Sequence, residues 1–472
     1  MKRTELLFAV LLVPLDFCLL LAAGWLAYRS RFQAFVVDIR PVLYDVAPLE
    51  YFQSVAIVAA GWLAIFAMLG LYQRKATDPW WPEAGKVILA CSAGLLAVTF
   101  VVFLRRELLS SRFIILAAWV FSVLLVTGGR LLIRLLQRSL FKIGIGAHRV
   151  AVVGSNAAAD EVAATMKRRL GLGYLAVARL PAVVGSLGAL RDLTKSDALD
   201  EVLLLDPGGE AEVRQAFLDF TEEHHLIFRY APDLLRSPIG EVSVDLEFSV
   251  PIVEVPETTL RGWGRVIKRL IDIVGSALGL VLLSPFFLLV AIMIKVDSRG
   301  PIIYISKRLG RGYLFTLYKF RSMKFEYCVG PEYGGANAEK IYQGLITAQN
   351  ARHGPVPKIA NDPRVSRLGK WLRRFSLDEL PQLYNVLKGE MSLVGPRPHY
   401  PQEVANYAKH HRKVLAIKPG LTGLAQINGR SDLDFEEEVR LDRYYIEHWS
   451  LWLDLRIISR TLITIFERRG TL

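Results

Sequence analysis

Cysteine is nearly absent from this chain. Three residues in 472 positions, Cys18, Cys91 and Cys328, cannot make a disulfide framework, and no His or Cys spacing resembles a zinc site. The first apolar stretch has no small-residue cleavage site and further apolar stretches follow it, so a cleavable signal peptide is not expected. An intact dinucleotide fingerprint is also missing. After the buried-strand pattern Arg149–Val153 comes Gly154-Ser155-Asn156-Ala157-Ala158-Ala159. Asn156 stands where a second glycine would let the backbone approach a pyrophosphate, and Ala159 holds the third position. No Tyr-x-x-x-Lys pair accompanies this run. These gaps weigh against a zinc protein, a disulfide-built domain and a membrane-tethered NAD-dependent nucleotide-sugar enzyme.

Long apolar runs and positive charge are present instead. The chain is 52% hydrophobic, carries a formal charge of +13 and has a mean hydropathy of +0.32. That combination reads as a membrane protein with a basic surface for phosphate-bearing partners; nucleic acid is not expected among them. Four stretches, Leu6–Tyr28, Phe52–Leu71, Val87–Leu104 and Phe113–Leu132, are each about long enough to cross a bilayer as a helix. Asp16 lies inside the first, where an acid faces the bundle interior, for packing, assembly or function. With the N-terminus inside, nine Lys and Arg near span ends lie on the inner side (Lys2, Arg3, Arg74, Lys75, Lys86, Arg130, Arg134, Arg138, Lys142). Six lie outside (Arg29, Arg31, Arg40, Arg105, Arg106, Arg112). The bias favours the N-terminus inside, and an even number of spans then leaves everything after Arg134 in the cytosol.

From Arg149 strand and helix patterns alternate, with further strands at Glu201–Leu205 and Leu226–Tyr230, which predicts a small parallel α/β unit. Gly240–Val255 reads as a short extended or hairpin linker. Ile273–Ile294 then runs without a charge, so length alone predicts a fifth span. Ser284-Pro285 breaks it near the middle, and basic residues flank both ends (Arg265, Lys268 and Arg269 before; Lys295 and Arg299 after). A helix that enters the membrane, bends and returns keeps both flanks on one side; the competing reading is a kinked crossing helix.

The chemistry concentrates at Phe375-Ser376-Leu377-Asp378-Glu379-Leu380-Pro381-Gln382. Ser376 with Glu379 makes a capping box, which would give Glu379 a purely structural task. Asp378 is harder to explain that way. It falls in a first helical turn, where free N–H groups favour anions, and follows Arg364, Arg367, Lys370, Arg373 and Arg374. Asp362-Pro363 is predicted to start the helix carrying those bases. Paired acids behind such a run suit a nucleophile or metal ligand facing a phosphorylated substrate. Further on, Gly395-Pro396-Arg397-Pro398 fixes an arginine between two prolines, a shape suited to bidentate phosphate contact.

Ser-Leu-Asp-Glu-Leu-Pro-Gln, Val394-Gly395-Pro396-Arg397-Pro398 and Lys418-Pro419-Gly420-Leu421-Thr422-Gly423-Leu424-Ala425-Gln426, in this order, resemble the bacterial sugar transferases. These are the polyprenyl-phosphate hexose-1-phosphate transferases, and the similarity runs from about Arg265 to the C-terminus. One departure is visible: where the family usually reads Gln-x-Arg-x-Gly, Ser306 replaces the glutamine before Arg308 and Gly310.

The resemblance implies an α/β membrane protein with residues 1–145 as a four-helix transmembrane bundle and 146–235 as a degenerate Rossmann-like domain. Residues 236–262 would be a linker with short strands. Residues 263–472 would be a mixed, mainly helical catalytic domain whose re-entrant helix spans about 266–296 and breaks at Ser284 and Pro285. It implies transfer of hexose-1-phosphate from a UDP-hexose, glucose or galactose, to undecaprenyl phosphate at the bacterial inner membrane, with the catalytic domain facing the cytoplasm. UMP would be released and the lipid product would enter exopolysaccharide, capsule or O-antigen synthesis. Asp378 would be the nucleophile, giving a covalent phosphosugar, and Glu379 would hold Mg²⁺. Lys319, Arg373, Arg397, Gln426, Arg430 and Asp454 would meet substrate or order the groups that do. Arg321 would meet phosphate or headgroups, or simply make the strand basic. Residues 324–359 read as an insertion forming a loop, a lid or an interface, and a homodimer is open. A non-enzymatic scaffold of polysaccharide assembly is the remaining alternative.

Overall fold

The computed structural model describes residues 3–33, 37–38, 47–73, 80–105, 112–196, 198–206, 211–231, 252–255, 258–330, 333–349, 354–356, 359, 362–429 and 433–467. They form two compact units. One contains residues 1–182, 195–206 and 245–251; the other contains 183–194, 207–244 and 252–472.

In the first unit the four predicted apolar stretches are helices α1 (Arg3–Arg31), α2 (Pro48–Met68), α3 (Trp80–Arg105) and α4 (Arg112–Lys142). All four are long and apolar enough to cross a membrane. α4 continues ten residues past the predicted stretch because its polar residues turn inward. Arg130 donates to both oxygens of Asp16, at 3.2 and 2.5 Å, to Glu83 at 3.0 Å and to the Leu71 carbonyl at 3.1 Å. Arg134 also pairs with Glu83. Asp16 is therefore paired inside the bundle, the arrangement an ionisable group in an apolar span requires.

The same unit carries β1 (His148–Val153), α5 (Ala157–Arg168), β2 (Tyr174–Leu180) and β3 (Glu201–Leu204). Both β2 and β3 run parallel to β1, one on each side of it. Asn156 explains the degraded glycine motif. Its Oδ1 accepts from the Ala159 N–H at 3.0 Å and its Nδ2 donates to the Leu205 carbonyl at 2.7 Å. The helix N-terminus that a pyrophosphate would use is thus capped by the chain itself.

In the second unit α6 (Ala211–Glu223) leads to β4 (Ile227–Tyr230), which pairs antiparallel with β5 (Val253–Val255). Residues 236–251 and 256–257 of the predicted linker lie outside the described residues. The long apolar run divides into α7 (Trp263–Leu282) and α8 (Ser284–Asp297), bent by 60° at the predicted Ser-Pro break. Pro285 removes one amide and the Ser284 hydroxyl donates to the Val281 carbonyl at 2.8 Å. Both legs are fastened to the rest of this unit. On α7, Arg269 donates to the carbonyls of Val386 and Leu387, both at 2.7 Å, and Asp272 accepts from Ser392 Oγ and the Leu393 N–H. On α8, Val290 and Ile294 pack against Phe320 and Leu372.

Strands β6 (Ile303–Leu309) and β7 (Leu314–Phe320) form an antiparallel hairpin. They are followed by α9 (Gly335–Gln349), α10 (Arg367–Arg374), a 3₁₀ turn at Leu377–Glu379 and α11 (Gln382–Lys388). β8 (Ser392–Val394) lies parallel to β9 (Gly420–Thr422), and α12 (Leu424–Asn428), α13 (Phe435–Glu447) and α14 (Leu451–Glu467) complete the unit. A core of Val394, Ile417, Tyr445, Ile446 and Ile457 joins these last elements.

Candidate active site

Two local expectations fail here for stated reasons. α10 starts at Arg367, with Ser366 Oγ accepting from the Gly369 N–H at 3.0 Å, and not at Asp362. Asp362 is taken by Arg364, whose Nε and NH2 reach it at 2.9 and 2.7 Å. This pairing outweighs burial and holds the Asp362 carboxyl below its ordinary range. The Ser376–Glu379 capping box does not form either. Ser376 has φ +55°, the left-handed region, and its side chain does not cap the turn. Asp378 and Glu379 therefore sit on a short 3₁₀ turn, and α11 begins three residues beyond Glu379.

The turn presents its acids to a cavity of about 940 Å³ that is also lined by Lys319, Arg373, Arg397 and Gln426. Glu379 Oε1 accepts from Lys319 Nζ at 2.8 Å, sixty residues away in sequence. Asp378 is buried at the cavity wall. Arg373 Nε donates to Ser322 Oγ at 2.9 Å. Burial disfavours the charge on Arg397, but Glu438, Glu403 and Glu379 outweigh it and hold the guanidinium more firmly protonated than usual. The result is two carboxylates beside fixed cations in a pocket of the size that holds a small-molecule ligand.

The structure also shows how three further parts of the motif region are held. Asp454 is not among the residues lining the cavity. It is buried and accepts from Lys268 Nζ at 2.7 Å, Tyr445 OH at 2.6 Å and Trp449 Nε1 at 3.1 Å, tying α14 to α7. Arg321 is spent on the chain end of α8, donating to Pro301 O at 2.7 Å, Ser298 Oγ at 2.8 Å and Ser298 O at 2.9 Å. In the Lys418–Gln426 run the glycines permit close loop-to-loop contact: a Cβ on Gly420 would lie 2.1 Å from the Gly395 nitrogen, and one on Gly423 would lie 2.3 Å from the Gly395 carbonyl. Arg430 lies outside the described residues.

Part of the 324–359 segment is a cavity wall. α9 contributes Glu339, Tyr342 and Ile346, and Arg364 stacks over the Tyr342 ring at 4.8 Å. Sequence reading also passed over Tyr304 and Tyr400, which line the same space. The alternation of β6 was the available signal, since Tyr304, Ser306 and Arg308 share one strand face.

A buried Asp378 and a half-buried Glu379 line one cavity with Lys319, Arg373 and Arg397, in a unit that also holds a bent apolar helix pair, an arrangement whose charges suit a phosphate-bearing ligand. Residues 263–468 match the family model of the bacterial sugar transferases. An undecaprenyl-phosphate galactose phosphotransferase of Salmonella typhimurium is 29% identical over 435 residues, 88% of this chain and 87% of that protein. A UDP-galactose-lipid carrier transferase of Erwinia amylovora is 30% identical over 441 residues, covering 88% and 87%. A UDP-glucose:undecaprenyl-phosphate glucose-1-phosphate transferase of Klebsiella pneumoniae is 32% identical over 365 residues, 72% of each chain. The chain belongs to the bacterial sugar transferase family and is an enzyme, a transferase.

Proposed function

We propose that this protein transfers hexose-1-phosphate from a UDP-hexose to undecaprenyl phosphate through an aspartyl phosphosugar. The observation that carries this reading is the placement of Asp378 and Glu379 against Lys319, Arg373 and Arg397 in one cavity. An Asp378 oxygen attacks the β-phosphorus of the donor. The bond from that phosphorus to the bridging oxygen breaks, and UMP leaves with the electron pair. An oxygen of undecaprenyl phosphate then attacks the same phosphorus and Asp378 departs as a carboxylate, leaving undecaprenyl-diphospho-hexose. Lys319, Arg373 and Arg397 neutralise the anions that must approach one another and hold the diphosphate in line with Asp378.

A divalent cation fits this wall. Carboxylates beside substrate phosphates are an oxygen donor set that Mg²⁺ takes, and Glu379, which also accepts from Lys319, would hold it. The ion would supply further neutralisation of phosphate charge.

The re-entrant path of α7 and α8 is part of the proposal. Arg269 and Asp272 on one leg, and Val290 and Ile294 on the other, all hold residues of the catalytic unit, which supports both flanks lying on one membrane face. With four crossing helices before it, that face is the cytoplasm of the inner membrane. A water-soluble nucleotide sugar and a bilayer-held phosphate then reach one site, and the product primes exopolysaccharide synthesis.

The test is UMP release by the full chain in nanodiscs with undecaprenyl phosphate, Mg²⁺ and a panel of UDP-sugars. Wild type is expected to release UMP with one hexose in a lipid-dependent manner. Asp378→Asn is expected to lose at least about 10³-fold. An active Asp378→Asn would remove the aspartyl intermediate, and a folded wild type that releases no UMP from any donor would overturn the donor assignment.

A further inference from the structure

Three side chains around the cavity carry buried polar atoms with no hydrogen-bond partner among the described residues: Ser306 Oγ, Arg308 Nε and Gln426 Oε1. Ser306 and Arg308 are only 8% and 6% exposed, and all three residues line the cavity. Buried polar atoms are satisfied in folded proteins, so three around one cavity point to a bound group that completes them. Their neighbourhood is defined. Ser306 and Arg308 alternate with Tyr304 on the inner face of β6, and Tyr304 is the cross-strand partner of Lys319. Arg308 is held by stacking on Tyr400, 3.1 Å from its ring centre, and by donating to the Pro398 carbonyl at 3.3 Å. A small recess is shared by Arg308, Lys319, Glu379, Gln382, Arg397 and Gln426. Arg308 and Gln426 therefore share a recess with the Lys319–Glu379 pair, and Ser306 lines the larger cavity that this pair also faces.

The chemistry of the three atoms narrows the ligand. Arg308 Nε–H only donates, Gln426 Oε1 only accepts, and the Ser306 hydroxyl does either. Phosphate oxygens would satisfy the arginine but leave the Gln426 Oε1 acceptor unmet. Sugar hydroxyls donate and accept, and match all three. Position agrees: the β-phosphate must lie at Asp378 for attack, and the hexose is bonded directly to that phosphate, whereas the nucleoside is a further phosphate away.

We propose that Ser306, Arg308 and Gln426 form the subsite that reads the hydroxyl groups of the donor hexose, with Ser306 setting which hexose is accepted. The inference rests on the UDP-hexose reading above. Ser306 is a short side chain on the cavity wall, so a longer amide at this position would take up space that the hydroxyl leaves open.

The test compares UMP release from UDP-glucose, UDP-galactose and their singly deoxygenated analogues by wild type, Ser306→Ala and Ser306→Gln, with UMP inhibition measured alongside. Wild type should lose about 10- to 100-fold in kcat/KM at each hydroxyl the subsite reads. Ser306→Ala should lose about tenfold with the full sugar and nothing more with one particular deoxy analogue, while UMP inhibits it as before. Ser306→Gln should change the glucose-to-galactose preference. The same deoxy profile in all three proteins would overturn the subsite, as would a fall in UMP affinity matching the fall in turnover. Should Ser306→Ala fail to fold, an unchanged preference in folded Ser306→Gln would overturn it alone. Wild type releasing no UMP from any donor would instead remove the underlying donor reading, so the two failures are distinct.

Discussion

Asp454→Ala tests whether that carboxylate fastens the fold or serves the reacting site. The side chain is 3% exposed and satisfies Lys268, Tyr445 and Trp449 at 2.7, 2.6 and 3.1 Å. Removing it leaves the Lys268 ammonium, itself 6% exposed, buried without its counter-charge. Breaking such a pair from one side costs about 3–5 kcal/mol. In a domain of this size each kcal/mol moves the midpoint by roughly 2–4 °C, so a cost near 3 kcal/mol lowers Tm by about 6–12 °C. Scanning fluorimetry of the solubilised protein reads this shift, and UMP release assayed well below the lowered Tm reads the site. The expected variant is less stable with a near-normal KM for the donor. An unchanged Tm with abolished turnover would refute the fastening role and return Asp454 to the substrate.

Chelation with EDTA is expected to abolish UMP release and added Mg²⁺ to restore it; undiminished release in EDTA would count against a metal on Glu379. Ser376 at φ +55° should tolerate glycine, whereas Ser376→Val should cost roughly 1–2 kcal/mol, read as a Tm difference between the two variants. Equal midpoints would show that the turn relaxes. Burial, with Arg311 and His224 nearby, pushes the His225 imidazole from 6.5 down to about 4. The folded state therefore binds fewer protons than the unfolded chain across that interval. The stability involved is present above about pH 6.5 and is lost as pH falls toward 4. His225→Asn, compatible with the φ of +54° at this position, should flatten stability between those limits; a slope equal to wild type would exclude His225 as its source.

The parts of this protein legible from sequence are those set by neighbours along the chain. Helix α1 to α4 positions follow from apolar length, and the bend before Ser284 follows from a missing amide and a ring clash at Pro285. Asn156 shows in one residue that a pyrophosphate loop has been replaced, and the order of Asp378, Arg397 and Gln426 carries the family. What those residues touch was not legible. Glu379 had two chemically reasonable partners, the amides of its own turn and a cation elsewhere. Only the folding of β7 beside the 3₁₀ turn, with Ser376 left-handed, gave it to Lys319. Arg321 and Arg373 lie in equally basic surroundings in the sequence. Both line the cavity, yet the Arg321 guanidinium is bonded to Ser298 and Pro301 at the end of α8 while Arg373 Nε donates to Ser322 Oγ, a difference set by which groups the packing brings within reach. Sequence alone thus determined the spans, the break and the inventory of reactive groups, since backbone preference and hydrophobic length are local. The tertiary structure alone decided that Asp454 faces Lys268, that α9 walls the cavity and that Ser306, Arg308 and Gln426 converge. Pairings across dozens of residues depend on how the elements pack, and no local pattern encodes them.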